Sequence, residues 1–418
     1  MHDFQFVDGE LFCEGVSIAA VAAKVGTPFY LYSHATLCRH LQVFDSAFSD
    51  IPHLTAFAVK SNSNLAILKL VANHGLGADI VSGGELYRAL QAGIEPTKIV
   101  FAGVGKNAEE IEYALKTGIR MFNVESAAEL GAINDVAARM GTKAPVALRV
   151  NPDVDPMTHP YIATGLKKSK FGIGSQFALE SFEAAMQCSA IDVVGVHMHI
   201  GSQLTTVSPF VDAVKKLLGL IEQLQQRGID LHCINVGGGL GISYEDETPP
   251  HPSDLAEALM PLLRDLKVHL ILEPGRVIVG NAGILVTKVL YIKNGDGKNF
   301  VIVDAAMNDL LRPSLYDAYH KIVPVRQDKR DSMVVDVVGP ICESGDFLAK
   351  DRKLPEVKPE ELLAVMSAGA YAFTMASNYN ARPRVPEVMV RDRDIHVIRE
   401  RESYVDLVKG EVIPNFLQ

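Results

Sequence analysis

Tryptophan is absent from the 418 residues, and cysteine is scarce. The five cysteines, Cys13, Cys38, Cys188, Cys233 and Cys342, are odd in number, widely spaced and free of any CxxC pair. That argues against a disulfide scaffold or a zinc knuckle and fits a reducing cytoplasm. No apolar run reaches the ~18–20 residues of a membrane span. The start, MHDFQFVDGELF, has no basic segment leading into an apolar stretch, so no export signal is expected. Nor is there a basic stripe: Lys and Arg are scattered and the net charge is −10, which argues against a nucleic-acid partner. What remains, 22% charged and 48% hydrophobic residues, is the balance of a soluble globular enzyme. The length exceeds what one core usually fills, so two domains are expected.

Residues 28–274 alternate apolar strands with longer helical patterns. The strand candidates are PFYLYS (28–33), TAFAVK (55–60), GADIV (77–81), KIVFAG (98–103), RMFNVES (120–126), PVALRVNP (145–152), DVVGVHMHIG (192–201), LHCINVGGG (231–239) and VHLILEPG (268–275). Helix-like runs such as 64–75, 84–93, 108–118 and 210–228 lie between them, many ending in glycine. Such alternation implies a parallel sheet with helices outside. About eight units favour an α/β fold closed as a TIM-like (β/α)8 barrel, with an open doubly wound sheet as the alternative. The rest of the chain, 275–418, is strand-rich, with hairpin turns at NGDG (294–297) and DRD (392–394). Its strands are expected to include 403–410, and 350–361 reads as a solvated loop. Residues 1–27 carry another hairpin-like segment. Together, 1–27 and 275–418 are expected to form a second, mainly β domain that completes a substrate site.

Several short segments carry chemistry. AVKSN places Lys60 at the end of an apolar strand, where barrel enzymes keep reactive groups. An amine there could form a Schiff base with a cofactor aldehyde, although most lysines are exposed and inert. Asp79 ends the next strand and could orient that amine or meet a cofactor ring. Gly237–Gly239 follow the strand CINV, and bare backbone there can approach a small phosphate closely. No Walker lysine follows, and a tight turn is the plainer reading. His197 and His199 stand two apart, as residues sharing one strand face. A two-histidine metal site is the rival, but a third ligand at useful spacing is missing, and no metal is expected. One histidine could instead lie against an aromatic cofactor, with Ser202 reaching its phosphate. Glu273 ends VHLILE, where a carboxylate facing a pyridine nitrogen would favour the protonated ring. Such a ring draws electrons from the carbon that loses CO2. Arg276, three residues on, is placed to meet an anion, unless it simply pairs with Glu273.

Downstream, Arg312 and Tyr316 are four apart and would share one face of a short helix. Arg312 offers a planar fork for a carboxylate. Cys342 and Glu343 are adjacent in the glycine-bounded GPICESGD, and Tyr371 lies in SAGAYAFTM. A thiol could protonate Cα, a carboxylate could receive a distal ammonium, and a phenol could reach phosphate or substrate.

The segments AVKSN, HMHIGSQ, GGG, EPGR, RPSLYDAYH, GPICESGD and GAYA occur in this order along the whole chain. In that order they resemble the meso-diaminopimelate decarboxylases, pyridoxal-phosphate enzymes of the alanine-racemase-like fold. One departure is Ser61, where the family usually has Ala. The resemblance implies that Lys60 carries the cofactor and that His199 stacks on its ring. It implies that Ser202, Gly239 and the Glu273–Arg276 backbone, including Gly275, surround the phosphate while Glu273 pairs with the ring nitrogen. Asp79 and Tyr371 join the cofactor set. Arg276, Arg312, Tyr316, Glu343 and Tyr371 would read the substrate, and Cys342 would donate the proton. It further implies a head-to-tail homodimer in which Cys342 and Glu343 come from the partner. The implied reaction is loss of CO2 from the D-configured centre of meso-diaminopimelate through a quinonoid, giving L-lysine in the last step of lysine biosynthesis.

An ornithine, arginine or carboxynorspermidine decarboxylase shares much of this set. Arg312 with Glu343, and Gln203 of HIGSQ, favour a substrate carrying both amine and carboxylate at its far end. An alanine racemase would prefer Arg to Glu at the ring nitrogen. A pyridoxal-phosphate homeostasis protein would be about half this length, and a non-catalytic regulator would be expected to lose the lysine or the phosphate site.

Overall fold

The computed structural model describes residues 2–155 and 169–418. The strand PVALRVNP lies within the described part, and 156–168 lie outside it. The chain divides into two compact units, Cys38–Ile278 and a second built from Met1–Leu37 with Val279–Gln418.

In the first unit, eight parallel strands close on themselves. They are β1 (His53–Ala58), β2 (Gly77–Ile80), β3 (Ile99–Phe101), β4 (Met121–Val124), β5 (Ala144–Asn151), β6 (Ile191–His197), β7 (Cys233–Asn235) and β8 (His269–Leu272). Pairing runs from β1 through β8, and β8 returns to β1 in parallel register, Leu272 opposite Thr55. Closure follows from the repeat: each strand is followed by a helix that must return outside the sheet before the next parallel strand begins. Local signals start and stop those helices. Asn107 caps Ala108–Thr117 through a reciprocal capping box with Glu110, and Gly118 ends it in the left-handed region. Gly141 ends Ala127–Met140 the same way. Inside the barrel, Leu54, Ala56, Val100, Met121, Ala147 and Ile271 form a buried apolar cluster. The polar side chains Asp79, Asn123, Arg149, His197 and Asn235 lie at or near the C-terminal ends of their strands, and all are buried.

The second unit is a mixed sheet. Phe347–Pro355, Ser332–Val338, Lys298–Val303, Gly283–Gly295, Phe29–Ser33, Glu387–Arg391 and Asp394–Arg399 are neighbours in that order. Both expected hairpins form, Gly283–Gly295 with Lys298–Val303 and Glu387–Arg391 with Asp394–Arg399. So does the N-terminal hairpin, Phe4–Val7 with Glu10–Cys13. Phe4, Leu11, Phe29, Leu31, Ile284 and Val388 belong to one buried core.

Three sequence expectations are corrected. The segment 28–33, placed first among the barrel strands by its apolar run, pairs instead with Gly283–Val286 and with Glu387–Val390 in the second sheet. All five residues of Phe29–Ser33 are buried, so the run marks a central strand without saying of which sheet. The expected strand at 403–410 is a short helix, Tyr404–Leu407, because Ser403 and Asp406 form a capping box. The charged segment 350–361, expected as loop, begins in strand Phe347–Pro355, which pairs with Ser332–Val338.

Candidate active site

The C-terminal end of the barrel gathers one ionisable cluster. Lys60 lies in the helical turn Val59–Ser61 just beyond β1, rather than ending the strand itself. Its Nζ bonds to Asp79 Oδ2 at 2.5 Å. Asp79 sits within β2 and is wholly buried, and its Oδ1 makes no hydrogen bond within the protein. Burial pushes its carboxyl up to about 7, with the nearby Glu273 charge adding and the Lys60 ammonium opposing.

Glu273 follows β8 and is buried. Its Oε1 accepts from Asn123 Nδ2 at 3.0 Å and from Asn235 Nδ2 at 2.6 Å. Its Oε2 lies 3.4 Å from His197 Nε2, without hydrogen-bond geometry. Burial opposes the charge, but His197 and Lys60 outweigh it and hold the carboxyl well below its usual range. Glu273 is therefore an ionised carboxylate in a buried site. The two histidines do not share a strand face: His197 is the last residue of β6, and His199 lies past its end. There His199 Nδ1 accepts the Gly238 N–H at 3.1 Å, which leaves Nε2 to carry the ring proton. Burial, then Arg149 and Lys60, keep His199 far below the usual imidazole value, hence neutral.

A glycine turn and Arg276 adjoin this cluster. A Cβ at position 238 would lie 2.0 Å from the Glu273 carbonyl oxygen, so only glycine fits the turn there. Gly239 has φ +119°, which also favours glycine. Arg276 donates from Nη2 to Ser202 Oγ at 3.0 Å and from Nη1 to Tyr244 Oη at 2.5 Å. Gly275 packs on the Lys60 turn: a Cβ there would lie 3.0 Å from Ala58 Cβ and 3.1 Å from Ser61 Oγ. Ala58 N–H also donates to the Pro274 carbonyl. The barrel thus brings together Lys60, Asp79, His199, Ser202, Gly239, Glu273, Gly275 and Arg276.

The other predicted residues belong to the second unit. Arg312 and Tyr316 do bound one short helix, Arg312–Tyr316. Arg312 is buried, with Nη1 2.9 Å from His320 Nε2. His320 Nδ1 lies 2.9 Å from the Met366 carbonyl, so Nδ1 holds the proton and Nε2 accepts from Arg312. Cys342 and Glu343 are exposed, and the Cys342 N–H donates to Asn380 Oδ1 at 2.7 Å. Tyr371 sits at φ 54°, an uncommon conformation for an aromatic residue.

A family model described as pyridoxal-dependent decarboxylase, pyridoxal binding domain, matches residues 34–280. Diaminopimelate decarboxylase of Aquifex aeolicus is 51% identical over 97% of this chain and 96% of that protein. That of Vibrio cholerae is 52% identical over 96% of each. The chain belongs to the diaminopimelate decarboxylase family. A crystal structure of a diaminopimelate decarboxylase from M. jannaschii in complex with L-lysine superposes with a TM-score of 0.94 at 41% identity, covering 99% of both chains. The family's fold, a barrel with a second β-rich domain, is the fold observed.

Within this family fold, four features of the barrel end escaped the sequence motifs. Asn123, Asn235 and Tyr244 each bond to a predicted residue. The fourth is a second buried ionic group. Lys106 Nζ donates to Glu129 Oε1 at 2.6 Å and to the carbonyls of Gly103 and Asn123. Arg149 Nη1 donates to Glu125 Oε1 at 2.7 Å, and its guanidinium lies over the Phe171 ring. Asparagine inside an apolar strand was the available signal for the first two, since a buried amide needs partners.

Proposed function

We propose a division of labour among the residues at the barrel end for decarboxylating meso-diaminopimelate. The chain is a pyridoxal-dependent diaminopimelate decarboxylase that yields L-lysine and CO2, a lysine-biosynthetic step. The arrangement suits pyridoxal 5′-phosphate. An amine, an ionised carboxylate, a neutral imidazole and a glycine turn beside an arginine lie in one cluster, each of a type that complements one part of that molecule. Bound there, the cofactor supplies the electron sink that takes the bonding pair left behind when CO2 departs from Cα.

In this reading Lys60 is the amine that would hold the cofactor through its aldehyde. Asp79 orients the Lys60 amine. Glu273, kept ionised, would favour a proton on the ring nitrogen, and His199 would lie against the ring. Ser202, Gly239, Gly275 and Arg276 receive phosphate, with Tyr371 contributing its hydroxyl. Arg276, Arg312, Tyr316 and Tyr371 bind substrate, and Glu343 takes the ammonium of the L-configured end. Cys342 would return a proton to Cα, and with the L-configured end held for recognition the reaction occurs at the D-configured centre. The assembly is a head-to-tail homodimer in which a second copy supplies Cys342 and Glu343. Their exposure supports this, as do the exposed apolar side chains Val412 and Phe416 near the C-terminus. Among the described residues no helix is long and apolar enough to cross a membrane.

The observation that carries the reading is Lys60 and Glu273 at neighbouring strand ends of one barrel, β1 and β8. CO2 and lysine release from meso-diaminopimelate, with ornithine and arginine in parallel, tests it. Lysine is expected from the meso compound alone, and none from Lys60→Ala. Activity confined to ornithine or arginine would overturn the substrate assignment.

A further inference from the structure

Glu273 is held in an unusual way. Both amides that reach it donate to the same oxygen, Oε1. Asn235 comes from β7, next to the strand that Glu273 ends. Asn123 comes from β4, on the opposite side of the eight-stranded ring. Their orientations are fixed by their own partners. Asn235 Oδ1 accepts the Gly237 N–H at 2.9 Å, so its nitrogen must face the carboxylate. Turning Asn123 over would set two oxygens against each other.

Asn123 Oδ1 makes no hydrogen bond within the protein, although it is buried. A buried carbonyl without a partner is unfavourable, and an apolar residue would avoid it. What Asn123 gains is one N–H on Glu273. Amides also differ from Lys or Arg in kind: they favour the ionised carboxylate without cancelling its charge.

We propose that Asn123 and Asn235 are positioning residues for the decarboxylation: by occupying Oε1 they leave Oε2 as the oxygen that meets the cofactor's ring nitrogen, and they keep that carboxylate charged. The proposal rests on the cofactor placement given above. Asn235 has a second effect. It ties Glu273 to Gly237, whose carbonyl also accepts the Glu273 N–H at 2.8 Å. The carboxylate and the glycine turn therefore move as one piece, which sets ring and phosphate contacts in fixed register.

The test reads the ring nitrogen directly. Holoenzymes of wild type, Asn123→Leu and Asn235→Ser are loaded with pyridoxal phosphate labelled with 15N in the ring, and its 15N shift is followed against pH. His197, Lys60, Asp79 and His199 face Glu273, with Arg149 and Glu125 beyond, and they are unchanged in every variant. Without these donors the carboxylate is the stronger base and takes the shared proton, so the ring 15N shift of each variant is expected to move toward the unprotonated value at a pH where wild type is protonated. Turnover is expected to fall about tenfold or more at unchanged cofactor content. An unaltered ring-nitrogen titration in the variants that fold would overturn the proposal, even with reduced turnover, because packing alone would then explain the loss. Wild type that binds no pyridoxal phosphate overturns both this proposal and the cofactor site. Wild type that binds it without forming lysine overturns only the substrate reading, and the ring-nitrogen titration still decides the role of the asparagines.

Discussion

The same barrel buries two sets of carboxylates and treats them in opposite ways. Glu125 and Glu129 face cations, Arg149 at 2.7 Å and Lys106 at 2.6 Å. Lys106 fills its remaining donors with the carbonyls of Gly103 and Asn123. That group is closed: charge meets charge inside it. Glu273 instead takes its two hydrogen bonds from neutral amides, with His197 Nε2 3.4 Å from its other oxygen and the Lys60 ammonium bonded to Asp79. Its charge is stabilised but not spent, and remains available to a guest. Buried charge pairs are often no more stable than apolar replacements, whereas an anion held by neutral donors is useful only if something else answers it. The contrast separates scaffolding from chemistry within one set of strand ends.

The largest effect that sharpens the contrast is expected at Glu273. Glu273→Gln keeps the shape and removes the charge, so turnover should fall on the order of 10²-fold or more while thermal stability stays close to wild type. Steady-state kinetics beside a melting curve checks both halves. A large loss of stability with little loss of turnover would erase the distinction. Lys106→Met should behave the other way round. It strands Glu129 without its partner and is expected to cost about 3–5 kcal/mol in chemical denaturation. Adding Glu129→Leu should recover most of that loss, since the pair would then be replaced rather than broken.

A further effect concerns Asp79, which stands between the two treatments. Its carboxyl sits at about 7 in the folded chain, against about 3.9 when unfolded. The folded form therefore holds a proton that the unfolded form has released, so stability falls as pH rises from about 4 to about 7 and levels off above that. In cofactor-free protein, Asp79→Asn should flatten this part of the pH–stability curve. An identical slope in variant and wild type would show that Asp79 is ionised throughout.

Much of this was legible beforehand, for particular reasons. After 28–33 is removed, the remaining eight strand candidates are the eight barrel strands, because each is an apolar run followed by a helix-period pattern. Phe29–Ser33 misled because a strand buried on both faces looks alike in any sheet. Lys60 and Glu273 stood out because a charge at the end of an apolar strand is costly unless used. Asn123 and Asn235 did not, since asparagine also reads as a turn former. Their meaning lies in a carboxylate 150 and 38 residues further along the chain.

The position of Phe29–Ser33 also bears on how the molecule is made. This strand leaves the ribosome early, yet its sheet neighbours are Gly283–Val286 and Glu387–Val390. With translation at ~5–20 residues per second, it waits on the order of tens of seconds for the second of them. The barrel, Cys38–Ile278, is continuous in sequence and can be completed in that interval. Until then an apolar strand with two unpaired edges is exposed to other nascent chains, which makes residues 29–33 the segment where chaperone capture during synthesis would matter most.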